Sequence, residues 1–537
     1  MPNMIVAPQP IAAEEGAKVL MKGGNAIDAA VTAGFVQGLI SPHMCGIGGY
    51  VLLNLHLADR PEVLSIVLDA PALAGSKVSE SMWEDQVIGP NPDGWGFFLR
   101  DKVNDLGYQS ICIPGAVRGY QAMLERWGTY SWEQAILPAA QIAEEGFVVD
   151  TNMAEGWSRE APYPEACSLL DYIKGNPVAS RIYLKEGGIP YKAGERLRNP
   201  DLSQTLRQLA QDGPDDFYAG KLARRISDDL ATNGSFVTAT DLASYQLRDP
   251  EPVVGSYRGY TIASSQSPHG GPTLIEILNI LENCDLSTFE HNSAEYIYTV
   301  SMAMKAAFAD RNQHLADPDF VEVPVEWMIS KERAREWWEQ IDGGKPITVS
   351  FTSPEHPDTT QVTVVDAQGN CVSLTHSLGA SSGTITPGLG FMYNNSMVNF
   401  HPHAGHPNSI APGKGRTTGM TPTIVYKDGD PVMVIGAPGA TRIITSILQV
   451  VLNVLDFGMS ISDAVLAPRV DCQGDLIHCH ARIPEYVCAG VRRKHPIQRL
   501  PQSHGGFALV HAITLDPKSG RLEGGADTGS SGMALRV

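Results

Sequence analysis

The stretch Asp358-Thr359-Thr360-Gln361-Val362-Thr363-Val364-Val365-Asp366-Ala367-Gln368-Gly369-Asn370-Cys371-Val372-Ser373-Leu374-Thr375-His376-Ser377 decides how the rest of the chain is read. Residues 359–365 are rich in Thr and Val, whose branched side chains favour strands. Residues 366–370 supply the Asp, Gly and Asn of a five-residue turn. Residues 371–377 then return as the second strand of a hairpin. Pairing Val365 with Cys371 sets Thr359 opposite Ser377 at the open end. Directly opposed residues have Cβ atoms roughly 4.5–5.5 Å apart, so two hydroxyls are expected to face each other. Thr375 falls on the same face, one pair further along.

Upstream, Gly343-Gly344-Lys345-Pro346 and residues 352–358 have the composition of an exposed loop. A loop running into a strand that begins with Thr suggests a cut between Asp358 and Thr359. Thr359 would then carry both a nucleophilic hydroxyl and its own α-amine as base. Such an amine titrates near about 7.7–8.0, close to the ideal for a base at neutral pH. The competing reading is a surface hairpin with ordinary threonines, since Thr is common in strands.

Composition narrows the classes. The 537 residues are 43% hydrophobic and 18% charged, enough to bury a large core. With 59 acidic against 40 basic residues the net charge is −19, which argues against nucleic acid and anionic membranes as partners. The first ten residues lack the basic and apolar regions of a signal peptide, and no run reaches membrane-spanning length. The eight cysteines are scattered without a CxxC pair. They read as free thiols in a reducing compartment, so a cytoplasmic location is expected. His401, His403 and His406 have metal-like spacing, as do His478, Cys479 and His480, but neither set has a supporting carboxylate pattern. No metal and no cofactor is expected. A Ser-His-Asp hydrolase is disfavoured because no G-x-S-x-G stands between a strand and a helix.

Taken in order, the chain predicts helices over 12–21 and 26–40, strands over 51–55 and 65–69, and a mainly helical stretch from 113 to about 248. A strand over 259–264, a Gly/Pro loop over 265–272 and helices over 273–281, 293–314 and 327–340 follow. After the hairpin come a Gly-, Ser- and Thr-rich loop, a strand pair around Lys427-Asp428-Gly429-Asp430, and a helix over 443–455. The turn Gly436-Ala437-Pro438-Gly439-Ala440-Thr441-Arg442 enters that helix. A Gly-containing turn at a helix N-terminus aims N–H groups outward and favours an anion, such as a phosphate or a transient oxyanion. Helices, then strands, then a mixture indicate an α+β arrangement of stacked layers rather than a Rossmann series.

Several blocks together resemble the γ-glutamyltransferase (γ-glutamyltranspeptidase) family. They are Gly23-Gly24-Asn25-Ala26-Ile27-Asp28-Ala29-Ala30, Pro42-His43-Met44-Cys45-Gly46-Ile47-Gly48-Gly49, Gly270-Gly271-Pro272, Leu278-Asn279-Ile280-Leu281-Glu282 and Phe308-Ala309-Asp310-Arg311. The hairpin from Thr359, Met420-Thr421-Pro422-Thr423-Ile424-Val425 and the turn 436–442 complete the set, in matching order. The resemblance implies an N-terminal nucleophile hydrolase αββα sandwich with a helical portion in the large subunit. It also implies self-cleavage into a large subunit (1–358) and a small subunit (359–537) that stay together, with room for a dimer of processed units. By the same resemblance Thr359 is the nucleophile, Ser377 its hydroxyl partner, and Gly439 and Ala440 the source of oxyanion-hole N–H groups. Ala440 stands where the family has Gly, and is tolerated if its φ is negative.

The chain departs from the family where the glutamyl group is held. The family's Arg position aligns with Pro71, shortly after Asp69, and its Asn position with Gly379. Its Ser-Ser pair aligns with Thr418 and Gly419, and its acidic residue falls near Asn399. Without a bidentate Arg a carboxylate cannot be held the same way. Arg416 is the replacement candidate for an acidic acyl group. The expected function is therefore amide hydrolysis or acyl transfer on a small-molecule amide other than glutathione, as in cephalosporin-acylase-like or oxamate-amidohydrolase-like members. The alternative is a non-catalytic relative that binds or assembles.

Overall fold

The computed structural model describes residues 1–90, 97–161, 164–349 and 358–537. The loop expected over 352–357 lies outside these residues, as does the side chain of Asp358. Two six-stranded sheets are stacked face to face and each carries helices on its outer face. The strands of these two sheets, in chain order, are β1 (Met4–Ala7), β2 (Tyr50–His56), β3 (Ile66–Ala70), β4 (Val253–Tyr257), β5 (Tyr260–Ser264), β6 (Asp358–Val365), β7 (Cys371–Gly379), β8 (Thr423–Lys427), β9 (Asp430–Gly436), β10 (His511–Asp516), β11 (Arg521–Ala526) and β12 (Met533–Arg536). The first sheet runs β12-β1-β6-β7-β2-β3 and the second β4-β5-β8-β9-β10-β11. Each sheet thus mixes strands from before and after the Asp358–Thr359 bond.

Alternation along the hairpin sorts its side chains between the two faces. Val362, Val364, Val372 and Leu374 are fully buried against α1 (Pro10–Met21), α2 (Ala26–Ile40) and α3 (Ala116–Trp127). Val365 and Cys371 instead meet Ile424, Val434 and Ile513 of the second sheet. That sheet is covered by α4 (Gly271–Leu281), α5 (Ala294–His314) and α6 (Arg442–Leu455). Helix α2 is apolar all round because it lies inside a helical layer, and its start is built from polar residues. Asn25 caps it in a capping box with Asp28, and Asp366 from the hairpin turn accepts the Ala26 N–H at 3.0 Å.

The hairpin register is the expected one throughout, from Val365 opposite Cys371 to Thr359 opposite Ser377. Three local expectations change. The helix expected over 327–340 is two, Val325–Met328 and Lys331–Asp342, because Ser330 caps the second by accepting the Arg333 N–H. Strand β1, read only as lacking a leader signal, pairs with β6 in the middle of the first sheet. Gly379, expected just past the return strand, is its last residue.

Candidate active site

Thr359 and Ser377 sit on the face of the first sheet that looks toward the second. Ser377 pairs in turn with Tyr50, so Thr359, Ser377 and Tyr50 form one cross-strand row. Thr359 Oγ1 donates to Ser377 Oγ at 3.1 Å. Ser377 Oγ also accepts the Gly379 N–H at 2.8 Å. The two residues are only 3% and 1% exposed, which leaves the hydroxyls little freedom to rotate. The ladder is irregular at one point: Asp358 pairs with Gly379, so Leu378 is passed over and a bulge falls at the Asp358–Thr359 bond. Bulges disrupt the ladder locally and re-aim side chains, and they recur beside active sites.

The next row inward is Gln361, Thr375, Leu52 and Asp69. Thr375 Oγ1 donates to Gln361 Oε1 at 2.6 Å, and Gln361 Nε2 donates to Ser373 Oγ at 3.0 Å and Thr363 Oγ1 at 3.2 Å. The hydroxyl of Thr375 therefore belongs to a polar network between the sheets. Gly436 ends β9 directly over Gln361, where a Cβ would come within 2.3 Å of its amide.

The turn that follows Gly436 carries Gly439 at φ 140° and Ala440 at φ 58°. Ala440 does not have the negative φ at which an alanine is tolerated; it lies in the left-handed region, at a cost of about 1–2 kcal/mol for a residue with a Cβ. The turn is held from both sides. Leu509 N–H donates to Pro438 O at 2.9 Å, and a Cβ on Gly419 would lie 2.3 Å from Ala440 O.

The residues expected to hold substrate converge on these elements. Arg416 is 3% exposed, its guanidinium lies 4.9 Å from the Tyr50 ring centroid, and its Nη1 donates to Thr417 O at 3.2 Å. Burial pushes its pKa down to about 9, so it is still a cation at neutral pH. Asn408 links Arg416's neighbour to Asn399: it donates to Asn399 O at 2.7 Å and accepts the Thr417 N–H at 3.3 Å. Thr418 Oγ1 lies 2.7 Å from His269 Nδ1. His269 Nε2 lies 3.0 Å from Asp69 Oδ2.

Gly379 has φ 81°, and a Cβ there would lie 2.4 Å from Asn395 Oδ1. Asn395 occupies the space a side chain at 379 would need. It accepts the Ala380 N–H at 2.8 Å and donates to Asp105 Oδ1 at 2.8 Å. Asn395 and His269 escaped the sequence reading. The pair Asn394-Asn395 and the His within Ser267-Pro268-His269-Gly270 were the available signals, and each looks like ordinary loop composition.

His376 points to the helix face, where Nδ1 meets Tyr120 Oη at 2.7 Å and Nε2 meets Gln37 Oε1 at 2.6 Å. Burial pushes its pKa down to about 3. The His401 and His406 rings stack 4.2 Å apart. Among the described residues no group of three or more His, Cys, Asp or Glu side chains is placed to hold a metal ion.

Comparison with known proteins places this geometry. The family model described as Gamma-glutamyltranspeptidase matches residues 12–537. The Acylase ACY 1 proenzyme of Pseudomonas sp. (strain SE83) is 37% identical over 546 residues, covering 100% of this chain and 93% of the relative. The Glutathione hydrolase proenzyme of Escherichia coli (strain K12) is 32% identical over 488 residues, covering 87% of this chain and 80% of the relative. The crystal structure of cephalosporin acylase from Bacillus halodurans superposes with a TM-score of 0.87 at 26% identity, over 99% of this chain and 95% of that one. The chain therefore belongs to the γ-glutamyltranspeptidase family, with the layered fold of its N-terminal nucleophile hydrolases.

Proposed function

We infer that the protein is a self-processing amidohydrolase or acyltransferase that works through an acyl ester on Thr359. The acylase and glutathione hydrolase relatives support the reaction class. The observation that carries the finer reading is the 3.1 Å bond from Thr359 Oγ1 to Ser377 Oγ, at a bulge on the bond to be cut. Cleavage between Asp358 and Thr359 would leave subunits 1–358 and 359–537. Both sheets contain strands from each, which supports their staying together.

After cleavage the Thr359 amine takes the hydroxyl proton as Oγ1 attacks the amide carbonyl carbon. The carbonyl oxygen gains charge and is met by the N–H groups of Gly439 and Ala440. The C–N bond then breaks, the leaving amine receives the proton from the α-amine, and an ester remains on Thr359. Water or a second amine attacks that ester, gives up a proton to the α-amine and releases the acyl group. Ser377 holds the Thr359 hydroxyl in the attacking direction.

The acyl group is an acidic one held by Arg416, with Asn399 and Gly379 at its edge. Arg416 is buried against Tyr50, which lies directly opposite Ser377. The space at Gly379, taken by Asn395, and Pro71 in the family's Arg position argue against a γ-glutamyl group held in the usual way. A panel of γ-glutamyl, glutaryl and oxamate-like p-nitroanilides tests this. The glutaryl compound is expected to exceed the γ-glutamyl compound by about tenfold or more in kcat/KM, because both carry the carboxylate for Arg416 but the γ-glutamyl ammonium meets Asn399 where the family has an acid. Equal or better turnover of the γ-glutamyl compound contradicts the assignment. A protein that stays uncut and cleaves none of the three would favour the binding or assembly role.

A further inference from the structure

Asp69, His269 and Thr418 come from three distant stretches and meet in one buried line. Their exposures are 2%, 2% and 3%. Asp69 is held by the first sheet: it stands opposite Leu52, and its backbone exchanges hydrogen bonds with Arg248 at 2.9 and 2.7 Å. His269 enters from the loop after β5, and Thr418 from the segment before β8. Every backbone group of Thr418 is also engaged. Its N–H donates to Pro268 O at 3.0 Å and its carbonyl accepts Arg311 Nη2 at 3.1 Å.

The chemistry of the line sets the direction of the hydroxyl. His269 Nε2 is 3.0 Å from Asp69 Oδ2, although its N–H is not aimed closely enough at that oxygen to count as a hydrogen bond. A bare nitrogen lone pair at that distance from a carboxylate would be repelled, and Nδ1 is the acceptor within reach of the Thr418 hydroxyl, so the ring's proton is placed on Nε2. Nδ1 is then bare and accepts the Thr418 proton at 2.7 Å. One lone pair of Thr418 Oγ1 already accepts the Met420 N–H at 3.1 Å. What remains is a single lone pair, so toward a bound molecule Thr418 is an acceptor only.

This step rests on the amide-cleaving role given above. The one donor that every secondary-amide substrate carries is its scissile N–H. Gly419, the next residue after Thr418, packs directly on Ala440-Thr441, the turn assigned to the carbonyl oxygen of the same amide. We propose that Thr418 accepts a hydrogen bond from the scissile N–H, with His269 and Asp69 as positioning residues that turn its own proton away. No proton moves along the line; its role is to select an amide and orient it.

The test uses two substrates with one acyl group, glutaryl p-nitroanilide and glutaryl p-nitrophenyl ester, which lacks the N–H. Thr418→Val should lower kcat/KM for the anilide about tenfold and leave the ester within about threefold, the worth of one hydrogen bond. Thr418→Ser should keep both. His269→Ala should show the same amide-selective loss, which a merely structural role would not produce. Equal losses on the two substrates, or none on either, overturn the proposal. If the wild-type protein cleaves neither substrate, the amide-cleaving role has failed, and the line is then read by the imidazole ¹⁵N spectrum of labelled full-length protein. A His269 ring protonated on Nε2, with an Nδ1 signal that shifts in Thr418→Val, is expected. A ring carrying a proton on Nδ1, with or without a second on Nε2, overturns the arrangement itself.

Discussion

The two faces of one hairpin have opposite fates. On the helix face the polar residues are closed among themselves: His376 bonds to Tyr120 and Gln37, and Gln37 reaches Thr360 at 3.1 Å. Around them Val362, Val364, Val372 and Leu374 fill the core. On the sheet face the inner rows are closed too, by Gln361, by Ser373 donating to Ile435 O and by Thr363 donating to His511 O. The outermost row differs. Tyr50, in the same row as Thr359 and Ser377, lies beside the Arg416 guanidinium, which comes from a loop rather than a strand. The comparison teaches that one fold element supplies stability on one side and, at one end of the other, a hydroxyl placed for chemistry.

That division can be broken by substitution. The largest effect is expected for Thr359→Ala, which should reduce amide turnover by on the order of 10⁴-fold or more with little change in melting temperature. Leu374→Ala, on the opposite face, should do the reverse. It should cost about 2–5 kcal/mol in stability, read by denaturant unfolding, while turnover per folded molecule stays near wild type. Ser377→Ala should lower kcat by about 10²-fold, since it removes the group that directs the nucleophile. If Leu374→Ala and Ser377→Ala gave the same profile, the two faces would not be functionally distinct.

The histidine on the helix face gives a pH-dependent version of the contrast. Its pKa is pushed down from 6.5 to about 3 by burial. The unfolded chain therefore takes up a proton that the folded chain refuses, and stability falls as pH drops from about 6.5 toward about 3. His376→Gln should flatten part of that fall in denaturant midpoints measured across the window; an unchanged slope would mean that His376 is charged or solvated in the folded protein. The smallest effect is expected for Ala440→Gly. Removing the Cβ at φ 58° should raise stability by about 1 kcal/mol. A loss would mean that the Cβ of Ala440, a residue 7% exposed, is worth more in packing than the backbone strain it brings.

The hairpin was legible because its information is local. Strand formers, a five-residue turn and an alternating pattern set the register, and the register sets Thr359 opposite Ser377. The arrangement around it is not local. Asn395 fills the space at Gly379 from sixteen residues away, and the Asp69, His269 and Thr418 line joins a strand and two loops that only the stacked sheets bring together. Strand β1 was missed because four apolar residues at the start of a chain carry no periodicity to read. The sign of φ at Ala440 was left open because the family position is glycine, which adopts either sign. Packing of Gly419 and of Ala508 against the turn holds it in the unusual conformation.

The central claim is that this chain makes its own nucleophile at Thr359. Intact-mass analysis of the purified wild-type protein and of Thr359→Ala tests it most directly. The account predicts two wild-type chains, one ending at Asp358 and one of 179 residues beginning at Thr359, and a single uncut chain for the variant. A wild-type protein that remains at 537 residues under all conditions, or a Thr359→Ala variant still cut at that bond, would contradict it.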